Sequence, residues 1–412
     1  RGRRACCRRR QTGDAVMRAA PFVRGAVLLA ALALAAGCAK DKDVEKPSKL
    51  VDFRESVSID RLWSASLGGG DEIMRAGLAP ALDDGKVFAA GRDGDVAALR
   101  LTDGKQLWRV RTKATLGGGP GAGQGLVVVG SSDGEVIALE TADGKQRWRV
   151  TVGGEVLSAP AVAADAVIVR TIDGRLRGLA LDDGRELWRD EQTMPRLTLR
   201  GTAAPVVADR AAICGFDNGR VLAVETRDGE TLWETLVSPA RGRTELERLI
   251  DIDSAVKVSG ADVFVAGFQG RVAMLALDSG QTWWSRELSS HRGLDIDDEH
   301  VFVSTAGGEV VALRRRTGVE VWRQDALRRR GLSGPAVVGS QVVVADAEGY
   351  LHWLDAETGA FVARGKAGGR VTNAPRVADG ILVVQDDEGR VSAFRPRAPK
   401  PVKAPSAPAK PE

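Results

Sequence analysis

Few residues of this 412-residue chain belong to the types that usually perform acid–base or nucleophilic chemistry. The chain has three histidines (His291, His300 and His352) and one tyrosine, Tyr350. Most of its aspartates stand in turn sequences that recur along the chain, where an Asp side chain bonds to its own backbone and needs no metal to explain it. This scarcity of catalytic groups argues against an enzyme.

One cysteine, Cys38, stands in a setting with a defined chemistry. From Met17 the chain runs through two arginines into an apolar stretch (26–36), which is too short to span a bilayer and is typical of a secretory signal. Small residues followed by Cys38 resemble the bacterial lipobox, whose cysteine is acylated after cleavage. We therefore predict a signal peptide over 17–37 and lipid attachment at Cys38; an ordinary signal peptide with an incidental cysteine remains the alternative.

The ends of the chain differ in composition from its body. Residues 1–16 lack an initiator Met and are interpreted as a start site assigned too far upstream, and 38–58 are interpreted as an N-terminal tether. Residues 396–412 contain six prolines, and we expect a disordered tail. Residues 1–37 carry eight Arg and one Asp, so the net charge of +4 for the whole chain leaves −3 from residue 38 onward. A slightly acidic body without a basic stripe argues against nucleic acid as a partner.

The body repeats one unit eight times with a period near 40 residues. Segments such as DGDVAALRLTDGKQLWRV, DGEVIALETADGKQRWRV and GGEVVALRRRTGVEVWRQ align on a first turn glycine and, in all but the last copy, on a second Asp-Gly, Ser-Gly or Thr-Gly turn. These pairs supply the positive φ of tight hairpins. An apolar run such as GLVVVG precedes each first turn. This strand, the strand before it and the two strands around the second turn make four antiparallel strands per unit. Four-stranded sheets at this period predict the blades of a β-propeller, an all-β fold.

A large aromatic residue ends each outer strand and confirms the register. The aromatic positions are Trp63, Trp108, Trp148, Trp188, Trp233, Trp284, Trp322 and Phe361. So periodic a set is predicted to pack between neighbouring blades. The last unit has no outer strand, whereas Trp63 has no unit before it. We therefore predict an eight-bladed propeller over 59–395, whose last blade is closed by the N-terminal strand.

Eight such blades with Trp ends and Asp-Gly or Thr-Gly turns resemble the pyrroloquinoline-quinone type of propeller, which includes dehydrogenases and non-catalytic relatives. The dehydrogenases use a quinone, Ca²⁺, a catalytic Asp and usually an adjacent cysteine pair. The chain beyond Cys38 has a single further cysteine, Cys214, and so lacks that pair. We expect no cofactor, and a periplasmic quinoprotein dehydrogenase remains an alternative function.

Two neighbouring units are longer than the rest, and the excess lies in QTMPRLTLRGTAAP (192–205) and SPARGRTELERLIDIDSA (238–255). Inserted residues in a repeat fold form loops on one rim, and loops carry function. These loops, the DNGRV string at 217–221 and AEGYLHWLDAETGAFVA at 347–363 closely resemble the BamB family, lipoproteins of the machinery (BAM) that assembles outer-membrane β-barrels.

The resemblance implies a non-catalytic scaffold lipoprotein on the periplasmic face of the outer membrane. It implies docking onto a POTRA domain of the barrel insertase BamA, contact with other BAM subunits and possible contact with unfolded barrel clients. Carried over by motif, the partner-binding residues are Leu197, Leu199, Arg200, Asp251 and Asp253, with Arg220 as a weaker candidate. Leu197 and Leu199 could instead pack within a blade. A generic periplasmic propeller scaffold is the third interpretation.

Overall fold

The computed structural model describes residues 46–68, 77–195, 197–198, 203–240, 243–244, 246–247 and 249–397. The predicted signal peptide, Cys38 and the predicted tail from residue 398 onward lie outside this set. Among the described residues there is no helix that is long and apolar enough to cross a membrane. The described chain folds instead into eight four-stranded antiparallel sheets.

Each sheet is one blade, and in seven of them the four strands follow each other in chain order. Blades 1 and 2 contain β2 (Ala81–Asp83), β3 (Lys86–Ala90), β4 (Asp95–Arg100), β5 (Gln106–Arg111), β6 (Leu116–Gly123), β7 (Leu126–Ser131), β8 (Glu135–Glu140) and β9 (Gln146–Thr151). Blades 3 and 4 contain β10 (Ala161–Val162), β11 (Val167–Arg170), β12 (Arg175–Leu179), β13 (Glu186–Glu191), β14 (Val206–Ala208), β15 (Ala211–Gly215), β16 (Arg220–Glu225) and β17 (Thr231–Leu236).

Blades 5 and 6 contain β18 (Lys257–Ser259), β19 (Asp262–Ala266), β20 (Arg271–Ala276), β21 (Thr282–Glu287), β22 (Leu294–Ile296), β23 (His300–Ser304), β24 (Val310–Arg314) and β25 (Glu320–Gln324). Blade 7 contains β26 (Ala336–Val338), β27 (Gln341–Ala345), β28 (Tyr350–Asp355) and β29 (Phe361–Lys366). Blade 8 contains β30 (Arg376–Ala378), β31 (Ile381–Gln385), β32 (Arg390–Arg397) and, as its outer strand, β1 (Ser58–Ser66).

The closure of blade 8 by the N-terminal strand is as predicted. β1 pairs antiparallel with β32, from Ser58 opposite Arg397 to Ser66 opposite Arg390. The pairing hides the last free edge of β32, so the first and last strands of the fold lie side by side. The eight-bladed architecture with four antiparallel strands per blade is confirmed.

The second and third strands of each blade form the core because both of their faces are covered. In β7 every side chain is buried, and in β3 and β19 all but the first are. Hydrophobic clusters run from one blade into the next, for example from Val87 and Ala89 in blade 1 to Val383 and Val391 in blade 8. Continuous apolar strands are expected when a sheet is packed on both faces.

The periodic tryptophans join consecutive blades by one repeated contact. The indole of Trp188, in blade 3, donates a hydrogen bond of 2.8 Å to the carbonyl of Thr226 in blade 4 and lies over the turn glycine Gly229. A Cβ on Gly229 would stand 2.6 Å from the ring, and its φ is +76°, so glycine is needed for two reasons. The same contact recurs from Trp63, Trp108, Trp148, Trp233, Trp284 and Trp322.

Blade 7 breaks this pattern. Ala363, which lies opposite Trp353 on β28, stands at the position that Trp occupies in the other outer strands, so the prediction that Phe361 takes that place is wrong. Phe361 is the first residue of β29. The ring of Phe361 stacks on Phe53, with centroids 5.3 Å apart. The amide of Ser56 donates to the carbonyl of Val362 at 2.9 Å. Residues just before β1 therefore lie along blade 7 and fill the space that a neighbouring turn fills elsewhere.

Candidate functional site

The two long connections join blade 3 to blade 4 and blade 4 to blade 5. A short turn, Asp217 to Gly219, lies between them. The side-chain amide of Asn218 donates to the carbonyl of Thr193 in the first connection at 3.3 Å, and the amide of Ser238 in the second donates to the carbonyl of Gly219 at 3.1 Å. The DNG turn therefore brings the two connections to neighbouring positions on one rim.

Glycine is required in this turn by its surroundings. A Cβ on Gly219 would stand 2.0 Å from the carbonyl oxygen of Ser238, and the φ of Gly219 is +77°. Any larger residue would push the second connection away from blade 4.

Arg170, the last residue of β11, lies under these connections and is fully buried. Its guanidinium forms an ion pair with Asp217 and lies 4.8 Å above the ring centre of Phe216. Burial acts to lower the pKa of Arg170, but the negative groups around it, among them Asp217 and Asp251, raise it above its usual value. The guanidinium therefore stays charged inside the ring.

Three carboxylates converge near this arginine. Those of Asp217, Asp251 and Asp253 each bring an oxygen to within 4.8 Å of the others. Asp251 is fully buried, and the amide of Phe268 in blade 5 donates to its carbonyl at 2.7 Å. Burial raises the pKa of Asp253 to about 6, which reflects the cost of placing a further negative charge here.

Carboxylates in such a group could ligate a hard cation. Here, however, Arg170 already supplies a positive charge to Asp217 at the same place, so an added cation would lie beside a guanidinium. We interpret the four groups as a buried ion cluster that fixes the second connection to blades 3 and 4.

The second connection also presents an apolar side chain. The hydroxyl of Thr244 accepts from the amide of Glu247 at 3.2 Å, and the carboxylate of Glu247 accepts from the amides of Arg243 and Thr244 at 2.7 and 3.2 Å. This reciprocal arrangement is a capping box. Leu246 stands within it and is 66% exposed.

The residues predicted for partner binding are distributed as follows. Leu197 is 43% exposed in the first connection. Asp251 and Asp253 lie together in the ion cluster beside Arg170, and the charge of Arg292 also acts on Asp253. Arg220 is in β16 and pairs with Glu234 at 3.2 Å across the face of the blade. Leu199 and Arg200 lie outside the described residues.

Sequence reasoning missed Arg170, Asp217 and Leu246. Arg170 ends an apolar strand and Asp217 opens a turn, so neither stands out locally. Leu246 lies in the TELERL string that carried the resemblance, and the Thr-x-x-Glu spacing of a capping box was the available signal.

Of the histidines, His300 and His352 are buried structural groups. His352 faces Asp346 at 3.1 Å, and Asp346 also pairs with Arg330 at 2.7 Å. The Nδ1 atom of His300 lies 3.5 Å from the carboxylate of Asp297. The carboxylates that these two histidines face, Asp297 and Asp346, are not members of the ion cluster around Arg170.

Comparison with known proteins decides the family. The family model described as outer membrane protein assembly factor BamB matches residues 58–115, 92–324 and 306–398. The chain belongs to the BamB family. A BamB of Pseudomonas aeruginosa is 48% identical over 371 residues, which are 89% of this chain and 97% of that protein. The BamB of Escherichia coli is 37% identical over 377 residues, 88% and 96% of the two chains.

Solved structures agree with this assignment. The crystal structure of BamB from Moraxella catarrhalis matches with a TM-score of 0.76 and 29% identity, over 82% of this chain and all of that one. A quinohemoprotein alcohol dehydrogenase from Comamonas testosteroni matches with a TM-score of 0.62 at 14% identity, over 83% and 78%. At that identity the likeness to the dehydrogenase concerns the fold alone.

Proposed function

We propose that this protein is a non-catalytic scaffold subunit of the machinery that assembles β-barrels in the outer membrane, and that it docks onto a POTRA domain of BamA. The proposal rests on membership in the BamB family and on one structural observation. The two connections that depart from the repeat lie next to each other and carry exposed leucines, Leu197 and Leu246.

The chemistry of this surface suits a protein partner. Exposed leucines on a rim of otherwise polar turns are anchors for a complementary apolar pocket. The buried ion cluster below them holds the backbone of the second connection in place, which lowers the entropy lost on binding. In this proposal Asp251 and Asp253 act by shaping the connection, whereas Leu197, Leu199 and Arg200 contact the partner.

We further propose that acylation of Cys38 holds the protein at the periplasmic face of the outer membrane. Two or more acyl chains, at about 0.8 kcal/mol per buried CH₂ group, give stable anchoring. Ala39 after the cysteine is not the Asp that commonly retains lipoproteins at the inner membrane.

The docking proposal is tested by changing Leu197, Leu199 and Arg200 together to Ala. We expect the variant to lose co-purification with BamA while its circular dichroism spectrum and melting temperature stay near wild type. Leu197→Ala alone should weaken binding by about 1–3 kcal/mol if its side chain enters a pocket of the partner. Titration of the purified periplasmic part of BamA by calorimetry measures this loss.

Leu107→Ala is the matched control, because Leu107 is 41% exposed on the outer strand of blade 1. It should bind BamA as the wild type does. A folded triple variant that still binds BamA would refute the docking surface. A triple variant that unfolds, while Leu197→Ala does not, would show that Leu199 or Arg200 stabilises the fold and would count against the docking surface.

A further inference from the structure

A pocket on the axis of the ring is lined by the starts of the innermost strands. Residues of seven blades reach it, among them Gly77, Ser158, Ala204 and Asn373, and its volume is about 230 Å³. This is several times the roughly 30 Å³ that one water molecule takes up in the liquid. The pocket can therefore hold a small molecule as well as water.

Three basic side chains from different blades line this pocket: Lys257 of β18, Arg292 before β22, and Arg376 at the start of β30. The lining contains one carboxylate, Asp253, and a second one, Asp295, pairs with Lys257 of the lining. Both oxygens of Asp295 are engaged, one by the ammonium of Lys257 at 3.0 Å and the other by the amide of Val337 at 2.9 Å. Positive charge therefore exceeds negative charge among the described groups here.

Arg376 is the group that points to a ligand. It is only partly exposed, and within the described residues its guanidinium makes no hydrogen bond or ion pair. Burial lowers the pKa of Arg376, and the opposing attraction of Asp295 does not restore it. An arginine has five N–H donors, and leaving them unpaired inside a protein costs free energy.

We propose that the axial pocket binds a small oxyanion, a phosphate or a carboxylate, through Arg376 together with Lys257 and Arg292. A guanidinium matches such an anion with two parallel hydrogen bonds, and an ammonium adds a point charge. The pocket is distinct from the exposed leucines of the docking surface, and the proposal does not depend on the proposed function.

The test is thermal unfolding of the purified protein at low ionic strength, with inorganic phosphate or with malonate, against sodium chloride at matched ionic strength. At about 100 times the dissociation constant, a ligand that binds only the folded state should raise the melting temperature by on the order of 3 °C. Phosphate and malonate in separate titrations show which oxyanion the pocket prefers, and calorimetry gives the stoichiometry.

Arg376→Met removes the charge and keeps much of the side-chain volume. We expect it to abolish the response to both anions, whereas its melting temperature without anion should be no lower than that of wild type, because an unpaired charge has been removed from the interior. Arg376→Lys should keep part of the response. Arg210→Met is the matched control, since Arg210 is 68% exposed and pairs with Glu225 on another part of the ring.

A wild-type protein that neither phosphate nor malonate stabilises would overturn the proposal. An equal response in wild type and Arg376→Met would also overturn it, because the anion would then bind elsewhere. If Arg376→Met does not fold, the same comparison is made with Arg376→Lys by calorimetry, and an unchanged affinity there would count against the site.

Discussion

Replacing Arg170 by Met tests whether the buried ion cluster holds the docking connections in place. Arg170 and Asp217 are 0% and 1% exposed at their side chains, so their ion pair is shielded from solvent. Removing one partner of a buried pair typically costs about 3–5 kcal/mol, because the remaining charge stays buried without compensation. Here Asp217 and Asp251 would both lose that compensation, so we expect a loss near the upper end of this range.

The assay is equilibrium unfolding in urea, followed by tryptophan fluorescence. Arg175→Met is the matched control in the same blade, because Arg175 pairs with Asp173 and Glu191 while its side chain is 30% exposed. Pairs open to solvent contribute about 0–1 kcal/mol. The double variant Arg170→Met with Asp217→Asn should recover part of the loss, since it removes one of the uncompensated charges.

A second readout connects this cluster to partner binding. Arg170 does not reach the surface, so a loss of affinity for BamA in Arg170→Met would arise from movement of the connections. If Arg170→Met were no less stable than Arg175→Met and bound BamA as wild type does, the positioning role of the cluster would be refuted.

Two further predictions concern Asp253 and Cys38. The pKa of Asp253 is raised by burial from 3.8 to about 6, so its stabilising contribution is complete below about pH 3.8 and is lost as the pH rises through 6. At about 1.4 kcal/mol per pH unit, the stability of Asp253→Asn relative to wild type should rise by up to about 3 kcal/mol between pH 4 and pH 8, and a pH-independent difference in urea unfolding would contradict this. Cys38→Ala should leave the membrane fraction in cells depleted of BamA, whereas continued membrane association would disprove the lipid anchor.

The eight blades could be predicted from the sequence because each blade carries its own local signals. A turn glycine, a doubly buried strand and a terminal Trp recur in nearly every copy, and the structure explains their spacing by the contact of Trp188 with Gly229 and its equivalents. The exception in blade 7, where Ala363 stands in place of Trp, leaves no explanation within its own repeat for Phe361. Its partner, Phe53, precedes the first blade and is separated from it by most of the chain.

The candidate site was less predictable because it depends on contacts between blades. Arg170 and Asp217 belong to different repeats and lie 47 residues apart in sequence. In the turn of blade 4 Asn218 takes the place of the turn aspartates Asp93 and Asp133, and Asp217 stands one residue earlier. Only the fold shows that Asp217 faces a buried cation. The burial of Asp251 likewise follows from the path of the second connection into the ring, which its sequence does not encode locally.

The pairing of β1 with β32 has a consequence for the order in which the protein can fold. Ser64 and Ser392, whose hydroxyl groups are 3.1 Å apart, are separated by 328 positions in the chain. The first strand to leave the ribosome therefore has no partner until the last strand has been made, and closing so large a loop slows folding. During that interval the unpaired edge of β1 and the apolar side of Trp63 are open to other chains. A chain built in this way gains by being kept unfolded until its synthesis is complete.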